Sequence, residues 1–421
     1  LEVSELVPIS GTYGIRNRFK PLLLLWISVT VSISGCISPP GYTLIDPTAG
    51  GFVTLSKPLN LPKAPFQEAC GPEVLTAILH YWGDYVPIQD VATRLYSPQL
   101  GGTLSTELAP FARERGFAAT HLEGNIALLK QKIKEAHPLI VMIDMAPSGS
   151  SQPAFHFLAV IGYSDQHRAI LFRHHSPGPY LAIPYSQLLT RWARAGYFTL
   201  EIRPPLAEDL LLIGMELERK GNPQEALKYY NKALEQDPRY HKAYIRIGNL
   251  HLIQGELQLA IASYEEAYKL SPEDPEVLNN LANAYAEAGI KLEQASRLAE
   301  KATLGYKDCI KGLKLVLTQS RDESVHKRLR EKEWALAQAY GTLGQVRYLK
   351  AEYTLAISAF CASLDTAPLT AFDFRAKRLY EIALAYKKLD ERSQARIYLK
   401  KALQIVKDQD LKSKIQEELK D

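Results

Sequence analysis

The sequence predicts a chain in two parts: an α+β domain over residues 60–204, then an all-α solenoid of paired helices over 205–421. Three observations predict this. Apolar residues are spaced as in helices up to about residue 137 and alternate as in strands from 138 to 204, an order that suggests α+β. "RPP" (203–205) then breaks the pattern. Beyond it, Gly214, Ala226, Tyr230, Ala233 and Pro238 recur as Gly248, Ala260, Tyr264, Ala267 and Pro272, with one offset of 34 throughout.

The amino terminus reads as a targeting segment. Arg16, Arg18 and Lys20 precede the apolar run "PLLLLWISVTVSI" (21–33), too short for a confident membrane span. "ISGC" (33–36) closes it. Charge, apolar core, small residues and Cys36 in that order resemble the lipobox of bacterial lipoproteins, which implies lipidation of Cys36. An ordinary export signal with a chance cysteine and an uncleaved anchor are the alternatives. Ile37 stands where Asp is the usual inner-membrane retention signal of lipoproteins. The resemblance thus implies the bacterial cell envelope, at the outer membrane facing the periplasm. Residues 37–59, rich in Pro and Gly, read as a tether.

Within 60–204, "EVLTAILHYWG" (73–83), "IQDVATRLY" (88–96), "STELAPFARERG" (105–116) and "NIALLKQKIKEAH" (125–137) read as helices. "PLIVMIDM" (138–145), "FHFLAVIGYS" (155–164), "AILFRH" (169–174) and "GYFTLEIRP" (196–204) read as strands. The 34-residue period, with small residues at fixed helix positions and Pro after the second helix, resembles the tetratricopeptide repeat. About five copies are expected. The third (275–307) keeps Tyr285, Gly289, Ala295 and Ala302; the fourth (337–370) keeps Gly344, Ala356, Phe360 and Pro368; the fifth (376–408) keeps Tyr386, Ala395 and Ala402. Residues 308–336 do not fit and are expected to form an added charged helix, with "HKRLREKE" (326–333) as a solvated face.

Composition excludes several classes. A net charge of +4 over 421 residues, without a basic stripe, argues against nucleic acid. No Walker motif occurs, so ATP is not an expected partner. Four scattered cysteines form neither a disulfide framework nor a zinc pattern, and no metal or cofactor is expected. Cys309 and Cys361 read as packing residues of repeat helices.

Cys70 stands apart, because "CGPEVLTAIL" places it at a helix start where Pro72 suits the first turn. Backbone donors and an imidazolium can lower a thiol from its usual value of ~8.5. His156, opening the apolar strand "HFLAVIGY", is the candidate for the second. "CGP" followed about 85 residues later by "HF" and an apolar "GY" strand resembles the papain-type, C39-like cysteine peptidases over about 60–203. The resemblance implies Cys70 as nucleophile and His156 as its base. It also implies an oxyanion Gln, for which Gln67 is the candidate; a surface role is the alternative. The family's Asp or Asn after the histidine has no counterpart in "AILFRHHSPG". His174, His175 or Ser176 would then orient the ring; a metal tract is the weaker reading of "RHH".

With the leader and the repeats, the chain resembles lipoproteins of that peptidase family carrying carboxyl-terminal tetratricopeptide repeats. The implied function is a membrane-anchored hydrolase cleaving a peptide bond of a peptide or protein substrate through a Cys/His dyad, with a protein partner in the repeat groove. The alternative is a degenerate, peptide-binding adaptor of an envelope complex. An acyl or peptide transferase with the same dyad is a third reading.

Overall fold

A computed structural model describes residues 50–64, 69–147, 150–173, 180–319 and 322–420. The chain divides into two compact units that part between Asp209 and Leu210: a mixed α+β unit and an all-α solenoid of helix pairs.

The first unit runs β1 (Val53–Thr54), α1 (Cys70–Tyr81), α2 (Ile88–Leu95), β2 (Tyr96–Ser97), β3 (Gly102–Thr103), α3 (Ser105–Glu114), β4 (Ala118–Glu123), α4 (Ile126–Lys134), β5 (Leu139–Asp144), β6 (Phe155–Ser164), β7 (Ala169–Arg173), β8 (Tyr180–Pro184), α5 (Tyr185–Ala193) and β9 (Phe198–Arg203). Its main sheet has the order β4-β9-β5-β6-β7-β8, each neighbouring pair antiparallel, with β1 also pairing β6. The central strands "LIVMID" and "FHFLAVIGYS" are buried along almost their whole length, as continuous apolar runs require when both faces are covered. The helix α1 covers one face of β6. Trp82, just past its end, donates from Nε1 to the Ile202 carbonyl at 2.7 Å, and Tyr81 donates to the Ala136 carbonyl at 2.9 Å. These bonds anchor the helix to β9 and to the turn before β5. The sequence reading did not assign β4, β8 or α5.

The second unit is α6 (Ala207–Arg219), α7 (Pro223–Gln236), α8 (His241–Ile253), α9 (Leu257–Leu270), α10 (Pro275–Ala288), α11 (Leu292–Gln319), α12 (Glu323–Leu349), α13 (Tyr353–Thr366), α14 (Phe372–Lys388), α15 (Arg392–Ile405) and α16 (Gln409–Glu418). The recurring glycines and aromatics meet across the helix pairs. A Cβ added at Gly214 would lie 2.3 Å from the Tyr230 ring; at Gly248, 2.5 Å from Tyr264; at Gly344, 2.4 Å from Phe360. Glycine on the first helix makes the space that the ring of the second fills. The third pair differs: Gly289 sits at the end of α10 with φ +67°, where it terminates the helix. Among the described residues, 308–336 form no separate added helix. They lengthen α11 and α12 into helices of 28 and 27 residues, against 13 to 17 in α6–α10 and α13–α15.

Candidate functional site

Cys70 is the first residue of α1 and His156 the second of β6. Close packing brings the helix start down onto the sheet. A Cβ on Gly71 would lie 2.8 Å from Cβ of Thr103, so only glycine fits there. Glu73, in the first turn, is 8% exposed and accepts a hydrogen bond from the Ala64 amide at 2.9 Å, which fastens the preceding segment to the helix. The Phe157 backbone bonds the Cys70 thiol, so the start of β6 lies against the start of α1.

The electrostatics oppose a working thiolate. Burial pushes the Cys70 thiol up to about 11, and the negative Glu73 pushes the same way; the bonds from the backbone of Phe157, Gly71 and Cys70 itself only partly offset this. Burial drives His156 down to about 4, against the pull of Glu73. Burial thus disfavours the charged thiolate–imidazolium form of this pair. The charge that reaches both groups is the Glu73 carboxyl, whose own value burial raises. Gln67, His174, His175, Ser176 and Cys36 lie outside the described residues.

Elsewhere, Cys309 is exposed, not a packing residue, and Cys361 is half-buried with its thiol pushed up by burial. Among the described residues, Glu135, His137 and Glu201 form a group close enough to share an ion. It contains no cysteine, and its charges are already met. His137 Nδ1 lies 2.8 Å from Glu201 Oε1, and the Lys132 ammonium bridges Glu135 and Glu201 at 2.9 and 3.0 Å. Asp144, which the sequence did not single out, is 1% exposed at the end of β5. It accepts from the amides of Ala146 and Ala154 and pairs with Arg194 at 2.7 Å, pinning both ends of the loop before β6.

The repeat unit carries a second set of polar groups that sequence reading missed. On α8, Asn249 Oδ1 accepts from the Tyr264 hydroxyl at 2.7 Å and from Asn280 Nδ2 of α10 at 3.3 Å. Asn280 Oδ1 in turn accepts from Asn279 at 3.4 Å, and Asn283 donates to Glu287 at 2.9 Å. This ladder joins the first helices of successive pairs, and Asn280 and Asn283 remain partly exposed.

Comparison with known proteins matches tetratricopeptide-repeat patterns to residues 211–275 and 376–408. A BBSome complex member BBS4 homolog of Drosophila melanogaster is 27% identical over 44% of this chain and 38% of its own length. The photosystem I assembly protein Ycf3 of Cyanophora paradoxa is 33% identical over 23% of this chain and 62% of its own. The chain therefore spans under two thirds of either relative. Among solved structures, the MamA protein aligns with a TM-score of 0.35 and 22% identity, covering 47% of this chain and 90% of MamA. YrrB, described as a TPR protein with an unusual peptide-binding site, aligns with a TM-score of 0.35 and 18% identity, covering 50% of this chain and 92% of YrrB.

These findings support an α+β region followed by an all-α tetratricopeptide-repeat solenoid suited to a peptide or protein partner, and they correct the peptidase assignment. The curated relatives are described as BBSome complex members and a photosystem I assembly protein, not as C39-like peptidases. Among the described residues, the cysteines are neither paired nor clustered. Burial opposes a thiolate at Cys70 and an imidazolium at His156. The papain-like identity of the α+β region, the hydrolase activity and the cysteine-peptidase class fall together.

Proposed function

We propose that the chain is a non-catalytic adaptor that binds a peptide or protein partner through its repeat module, with a lipid on Cys36 holding it at the bacterial cell envelope. The asparagine ladder Asn249–Asn280–Asn279 carries this reading. Carboxamides present donors and acceptors together, which suits the amide groups of a peptide main chain. The relatives give it context, since one is a complex member and another an assembly protein. The leader sequence supports the envelope placement. In this reading the α+β unit is a rigid binding body, and the Cys70 and His156 side chains pack its interior edge.

Peptides selected from a random display library against the full chain provide the test. Asn280→Ala combined with Asn283→Ala is expected to weaken their binding about tenfold or more, at about 1 kcal/mol per lost hydrogen bond. Fluorescence anisotropy reads the change. Unaltered affinity in that double variant would remove the ladder from the binding surface.

A further inference from the structure

Helix α11 presents a largely exposed face, touched by α12 at Lys307 and Lys314. Leu304, Lys307, Lys311, Lys314, Leu315 and Thr318 recur at three- and four-residue intervals, so they share one side of the helix. All six are exposed, Leu304 at 60% and Leu315 at 64%. The opposite side, with Tyr306 and Ile310, is buried in the repeat core. The exposed line is about 21 Å long at 1.5 Å per residue.

Its charge is uneven. On the neighbouring α12, Lys327 pairs with Glu331 and Arg330 with Glu323. On α11, Lys314 reaches Glu333 at 3.4 Å and Lys307 lies over the Tyr340 ring, but Lys311 has no counter-ion among the described residues. The acid of this stretch, Asp308, stands at the margin of the face. From Lys307 to Glu333, the described residues hold seven Lys or Arg against five Asp or Glu.

We propose that this face of α11 docks on an anionic lipid bilayer. Lysines flanking isolated leucines along one side of a helix match a planar, negatively charged surface. Their stems let the ammonium groups reach headgroups while the leucines enter the interface. A folded protein partner would instead need a recess or an acidic surface shaped to this line. The docking is separate from the peptide site and does not depend on it.

The test is cosedimentation of the full chain with phosphatidylglycerol-containing vesicles and with pure phosphatidylcholine vesicles. Any amino-terminal anchor adds to both partitions, so the quantity read is the anionic-to-neutral ratio of partition coefficients. K307E/K311E/K314E is expected to lower that ratio about tenfold or more. K232E/K400E/K414E, which changes net charge equally on other helices, is expected to lower it less than about twofold, with both variants giving the parent's circular dichroism. Equal losses in the two variants, or a parent ratio near one, would overturn the proposal. So would polyglutamate displacing the chain from vesicles while binding it as tightly as they do, which would mark an acidic polypeptide as the occupant.

Discussion

Tyr264→Ala is expected to destabilise the repeat unit by about 4 kcal/mol. The ring is 1% exposed and fills the space that Gly248 leaves open. Truncation removes this packing and leaves a cavity between α8 and α9 that neither helix can close without moving its backbone. It also strips Asn249 of the Tyr264 hydroxyl at 2.7 Å. Tyr264→Phe keeps the ring and loses only that bond, about 1 kcal/mol. In a solenoid each pair is supported by its neighbours, so the alanine variant should fray outward from the second pair. Urea denaturation of the full chain, followed by helical circular dichroism, measures both. A loss of under about 1 kcal/mol for the alanine variant would contradict the packing described.

His156→Gln is expected to remove much of the acid sensitivity of the α+β unit. An unfolded histidine takes up its proton near pH 6.5, whereas burial holds folded His156 down to about 4. Between those values the unfolded chain binds more protons than the folded one. The stability from a neutral His156 is therefore complete above pH 6.5 and lost as pH falls towards 4. By pH 5 the loss reaches about 2 kcal/mol. Glu73 acts with the opposite sign: burial raises its carboxyl, so the folded chain gives up that proton later, and stability falls as pH rises above the ordinary carboxylate range. Glu73→Gln isolates this contribution. Denaturation midpoints at pH 7 and pH 5 for parent, His156→Gln and Glu73→Gln give the sign of each. An unchanged acid loss in His156→Gln would contradict the burial assigned to the ring.

The repeats were legible because their packing is written as fixed offsets. Each of Gly214, Gly248 and Gly344 stands 16 residues before the ring it accommodates. The strand β4 was not legible, since "AATHLE" is a half-exposed edge with weak apolar alternation. Helix α5 escaped notice because it starts directly after Pro184, with no side-chain cap and only two buried residues, Leu188 and Trp192. The positions of Cys70 and His156 at an α1 start and a β6 start could be read from local pattern. Their protonation could not. It is fixed by burial and by Glu73, acting across 86 residues of sequence between the two side chains. The asparagine ladder was hidden for another reason: Asn249 and Asn280 are 31 residues apart, off the 34-residue period, and meet only when the first helices pack side by side.

Partner binding by the repeats owes nothing to the sulfur of Cys70. The direct measurement pairs the affinity of a library-selected peptide for the parent and for Cys70→Ser with the mass of that peptide after prolonged incubation at neutral pH. Equal affinity for the two chains and a peptide of unchanged mass with both are expected. Cleavage by the parent that Cys70→Ser abolishes would contradict this.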